Sequence, residues 1–144
     1  MAGHKDQRTH RSAAGLTAAL FLGLSGCGIF AKAFQVSGTV TVAAHLQAKI
    51  PRTNAVLFII IKNGGQVPVA VRRIVNPEFP LDFSLREEDL IVPGASPAGP
   101  LTIEAQLNTH GNVGSPAKGD LGGVGRRPVR GGERGVRVLI DREI

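Results

Sequence analysis

Tryptophan and tyrosine are absent from the chain, and six phenylalanines are its whole aromatic content. Any core must therefore be built from Val, Ile, Leu and Ala, and there are few rings on which nucleic-acid bases could stack. Cysteine occurs once, at Cys27, so an internal disulfide is excluded and the fold must rest on apolar burial. Long apolar runs are missing too. The apolar stretch Ala13 to Leu24 is about a dozen residues, against the roughly 20 needed for a helix to span a bilayer. Two of the four histidines, His45 and His110, lie beyond this stretch. Neither has a cysteine, histidine or carboxylate at metal-ligand spacing, so no metal site is expected.

What the amino-terminal region does contain is a basic head with Lys5, Arg8 and Arg11, then the apolar stretch, then Leu24-Ser25-Gly26-Cys27. A charged head, an apolar middle and small residues before a cut form the three-part layout of an export signal. The last four residues resemble the bacterial lipoprotein signal, in which the cysteine is acylated and becomes the first residue after cleavage. The resemblance implies a signal peptide over residues 1–26, a tether over 27–33, and attachment to a membrane through acylated Cys27. Several acyl chains are needed, because one alone binds a bilayer only marginally. Gly28, where sorting patterns of such proteins would use aspartate for retention, leans towards the periplasmic face of the outer membrane of a Gram-negative bacterium.

Beyond the tether, period-two alternation and β-branched residues dominate. Phe34 to Val42 alternates apolar and polar residues, with Gly38 marking a place where a neighbouring backbone can come close. Ala43 to Ile50 reads as a short helical turn stopped by Pro51. Ala55 to Lys62 is apolar on both faces, as in a strand covered on both sides. Asn63-Gly64-Gly65 reads as a tight turn into a partner strand over Val67 to Val75. Leu81 to Leu85, Leu101 to Asn108 and Gly135 to Asp141 alternate again. Residues 111–135 are rich in glycine and arginine and read as a flexible basic loop. Six or so short strands in one domain over 34–144 predict an all-β fold, a small antiparallel β-sandwich of Ig-like or transthyretin-like type. An open barrel is the alternative.

The order of these pieces carries a second resemblance. It runs through Val36-Ser37-Gly38-Thr39-Val40, Leu46 and Ile50 before a proline, Val56-Leu57-Phe58-Ile59-Ile60, Gly64-Gly65 and Pro68-Val69-Ala70-Val71-Arg72-Arg73. It continues through Phe79-Pro80-Leu81-Asp82-Phe83-Ser84-Leu85, Ile103-Glu104-Ala105-Gln106-Leu107, Gly111-Asn112, Pro116 and Gly119-Asp120-Leu121-Gly122. The series resembles the C-terminal β-domain of CcmI/CycH-type cytochrome c biogenesis proteins. That resemblance implies a place in c-type cytochrome maturation, with maturation components or an apocytochrome as partners. Larger members also carry membrane helices and a helical-repeat region that binds the apocytochrome. Neither has a counterpart in these residues, so that activity is not carried over. The family's methionine after the equivalent of Leu85 is also missing from Asp89-Leu90-Ile91-Val92-Pro93-Gly94.

Catalysis finds little support, and no catalytic residue or cofactor is expected. The serines lack the flanking glycines of a nucleophile elbow, and Glu87-Glu88-Asp89 reads as a solvated charged turn. His110 falls in a turn, where a solvated ring is the simplest reading. A Cys-x-x-Cys-His motif is absent, which excludes covalent haem attachment. The strongest surface feature is Arg126, Arg127, Arg130, Arg134 and Arg137, relieved only by Glu133. An acidic protein partner and anionic lipid head groups both suit it, and a solvated loop is the plain alternative. Nucleic acid is not expected as a partner of an exported chain without stacking rings. The expected function is a lipid-anchored, non-catalytic interaction module of c-type cytochrome biogenesis. A structural or adhesion-type envelope lipoprotein is the alternative.

Overall fold

Seven consecutive buried residues, Ala55 to Ile61, set the architecture. The computed structural model describes residues 32–144. The expected signal segment, Cys27 and most of the tether lie outside the described residues. The strand that holds most of the apolar run, β2 (Val56–Lys62), sits inside a sheet between β3 (Pro68–Val75) and β5 (Thr102–Asn108). Because successive side chains point to opposite faces, Leu57, Ile59 and Ile61 enter the main core. Val56, Phe58 and Ile60 form a smaller cluster with Val71 on the other face.

Among the described residues, eight strands make two sheets. β1 (Gln35–Val42) lies between β4 (Leu81–Arg86) and β7 (Val136–Ile140) in a three-stranded sheet. The other sheet runs β3-β2-β5-β6-β8, with β6 at Leu121–Val124 and β8 at Arg142–Glu143. Every pairing is antiparallel except β1 with β7, which is parallel. The inner faces supply a core that includes Val36, Val40, Leu85, Leu101, Ile103, Leu107, Val138 and Ile140, each at most 1% exposed. Burial of such a side chain contributes about 1.5–3 kcal/mol. With no tryptophan or tyrosine, many branched aliphatics do the work of a few large rings. Between β1 and β2, a 3-10 helix at Ala44–Lys49 buries Leu46 and lets Ile50 pack against the core; His45 stays exposed.

The expected β-sandwich is observed, with three differences. The segment 111–135, expected to be one flexible loop, contains β6, and Leu121, Gly122, Gly123 and Val129 within it are buried. Its glycines hid the strand, since glycine is depleted in strands. At Gly123 the backbone leaves no room for a side chain, while at Gly122 a side chain would have to displace the end of Ile144. A Cβ on Gly123 would lie 1.9 Å from the Leu139 carbonyl oxygen, and one on Gly122 would meet the Ile144 side chain at 2.7 Å. The turn after β2 also differs in detail. Asn63 Oδ1 accepts from the amides of Gly65 and Val67, both at 3.0 Å, while the left-handed residue is Gln66, at φ 62°, and neither glycine. Finally, the sheet built on β1 is mixed, closed by the last long strand of the chain.

Gly38 is the other close approach. A Cβ there would stand 1.8 Å from the Val136 carbonyl oxygen, so β1 and β7 could not keep their spacing. Gly38→Ala is expected to cost about 3 kcal/mol through displaced backbone. A urea midpoint that falls with an unchanged m value checks it; an unchanged midpoint would show that the strands have room.

Candidate interaction surface

The five arginines do not form one patch. Arg126, Arg127 and Arg137 line a cavity of about 600 Å³, together with Thr41, Gly125 and Val129 and the β7 segment. Arg130 lies instead on a cavity of about 370 Å³ with Lys32, Phe34 and Glu87. Arg134 is exposed and lines neither. Glu133 organises the loop: its carboxylate pairs with Arg127 and accepts from the Arg130 amide at 3.0 Å, and its own carbonyl accepts from the Ser37 amide. The charged loop is thus stitched to β1, and Glu133 holds the Arg127 side chain in place.

The cleft forms because the chain leaves β6 and returns by another route. The Gly125 amide still donates to Ile103 of β5 at 2.8 Å, and Val129 pairs with Leu101 through two backbone bonds of 2.8 and 2.9 Å. Residues 126–128 bow outward between these anchors. Below them lie Val129, Val136 and Val138, all buried. A guanidinium rim suits a partner that carries carboxylates, because guanidinium groups pair with carboxylates in a bidentate geometry.

Two polar clusters missed in the sequence are structural. Asp89, expected in a solvated turn, is only 10% exposed at its side chain. It takes Arg72 of β3 through Nε and Nη2 at 3.0–3.1 Å and also accepts from the Arg86 amide at 2.8 Å. This clasp ties an edge strand of one sheet to the segment after β4 in the other. No sequence signal marks it, since Arg72 and Asp89 meet only once the sheets stack.

His110 is likewise engaged rather than free. Its Nε2 lies 2.9 Å from Asp120 Oδ2, and its Nδ1 accepts from the Asn112 amide at 3.2 Å. The two ring nitrogens thus face the Asp120 carboxylate and the Asn112 amide. Asp120 Oδ2 also accepts from the Ala117 amide at 2.7 Å, and the buried Asn108 side chain bridges Gly111 and Asn112. A histidine with a carboxylate can orient a general base. Here, however, both ring nitrogens are used by the β5–β6 connection, leaving neither for a nucleophile's proton. Among the described residues there is no group of three or more His, Cys, Asp or Glu side chains placed to hold a metal, and no helix long and apolar enough to cross a membrane.

This fold has a counterpart among known families. The model of the cytochrome c-type biogenesis protein H Ig-like domain matches residues 36–141, which is the sandwich without the first residue of β1 and the short strand β8. The chain belongs to this family. Membership supports a role in c-type cytochrome biogenesis and suggests a non-catalytic one. An uncharacterized protein of Aquifex aeolicus (strain VF5) is 34% identical over 107 residues, covering 74% of this chain and 69% of the relative. No solved structure matches. Within the family match fall the elements found above: the Gly38 contact, the Arg72–Asp89 clasp, the His110–Asp120 brace and the cleft beside β7.

His110→Ala is expected to lower stability by about 1–2 kcal/mol, because Asp120 then keeps one donor fewer in a buried setting. Urea unfolding checks this, and an unchanged midpoint would show that the pair does not brace the connection.

Proposed function

We propose that the protein is a lipid-anchored accessory component of c-type cytochrome biogenesis, facing the periplasm and acting as an interaction module without catalysis. The observation that carries this reading is the family match over residues 36–141, which spans nearly all of the sandwich. The binding partner is a maturation component or an apocytochrome, met at the surface rather than processed in an active site. Two features support a module that binds: the arginine-rimmed cleft and the use of both His110 nitrogens by the loop they brace.

The anchor rests on the sequence around Cys27. A small pair, Ser25-Gly26, precedes the lone thiol, and an apolar stretch too short to span a bilayer precedes that pair. Acylation there would keep the domain within a few residues of the membrane surface, on the outer-membrane side if Gly28 sorts the protein as expected.

Deletion of the gene is expected to reduce haem staining of at least one c-type cytochrome in a denaturing gel, with the chain restored in trans recovering it. Normal staining of every c-type cytochrome overturns the maturation role and leaves an envelope structural role in its place. Labelling with radioactive palmitate is expected to mark the wild-type protein and to vanish in Cys27→Ala; label retained by the variant refutes acylation at that residue.

A further inference from the structure

We propose that the open edge of β7 is a docking slot for an extended peptide segment that carries carboxylates, held by strand pairing on Arg137 and by charge at Arg126 and Arg137. The proposal deepens the interaction-module reading and rests on it.

The direction of the backbone groups gives the slot. The Ile140 carbonyl accepts from the Ala43 amide at 2.9 Å, so Ile140 addresses β1. Alternate residues of a strand turn their polar backbone groups to opposite edges. Val136, Val138 and Ile140 therefore serve the pairing with β1, while Arg137 and Leu139 face the other way. At the far end that outer edge is already closed. The Asp141 amide donates to Gly122 at 3.1 Å, and Gly123 presses against the Leu139 carbonyl. At the near end it is open. Among the described residues β7 pairs with β1 alone, and no loop or turn backbone group bonds to Arg137 or to the Leu139 amide.

These groups border the cleft of about 600 Å³. An unpaired strand edge is a template for one more strand. An added segment would turn alternate side chains towards the cleft, and the rim of the cleft selects their charge. Arg127 is already paired with Glu133, whereas Arg126 and Arg137 have no carboxylate partner among the described residues. A membrane surface would use the guanidinium groups alone. Only a polypeptide also uses the amide and carbonyl of Arg137, and that favours a peptide over lipid head groups.

The test uses the full chain in detergent micelles against an array of fluorescent pentapeptides built from Val, Thr, Asp, Asn and Lys. Acid-bearing peptides are expected to bind about tenfold or more tightly than their Asn counterparts, and Arg126→Gln or Arg137→Gln to weaken them by about tenfold each. Both side chains are exposed, and matching circular dichroism establishes that the variants are folded. In the wild-type protein, hydrogen exchange at the Arg137 and Leu139 amides is expected to slow on binding, and N-methylation of the peptide's central amide to abolish it. Equal binding of neutral peptides, unchanged exchange at both amides, or arginine-dependent binding to phosphatidylglycerol vesicles with no peptide bound each overturns the slot. Deficient cytochromes in the deletion strain with no peptide binding would sink the slot alone. Peptide binding with normal cytochromes would sink the maturation role alone.

Discussion

The rest of the molecule depends on two backbone contacts that only glycine permits. β7 runs between Gly38 of β1 and Gly123 of β6, and a methyl group at either position would fall within 2 Å of a β7 carbonyl oxygen. One contact lies within the three-stranded sheet and the other joins that sheet to the five-stranded one. β7 thus belongs to one sheet by hydrogen bonding and is pressed against the other. The packing of Val136, Val138 and Ile140 into the core follows from that position.

The same placement produces the cleft. Where Gly123 touches β7 the sheets are closed, and where the chain departs at Gly125 they separate. The arginines gather there because residues 126–128 bow across the gap, and Glu133 fixes one side of it. Fold and surface therefore share one cause. Removing the glycine contact would lose the stacking of the sheets and the mouth of the cleft together.

Much of this was legible from local pattern. β2 was readable from six apolar residues in succession, β5 from strict alternation, and Gly38 from its place in an alternating strand. The arginines were visible as a charge excess. What could not be read was everything that depends on distant chain segments meeting. β6 looked like a loop because its two glycines answer to Leu139 and Ile144 and to nothing nearby. Asp89 and His110 looked solvated for the same reason, since their partners Arg72 and Asp120 come from elsewhere in the chain. The separation of Arg130 from Arg126, Arg127 and Arg137 onto a different cavity is likewise a property of the fold, since the residues are close in sequence.

The parallel partnership of β1 with β7 also orders events in time. The first strand has one neighbour available early, β4, and its second only when residues 136–140 have been made. Contacts between such remote segments require a large loop to close before they repay its entropy, which slows folding. Until that happens β1 shows an unpaired edge, the state in which β-rich chains associate with one another. The domain's vulnerable interval is therefore set by its last long strand, and it ends when that strand slides in beside Gly38.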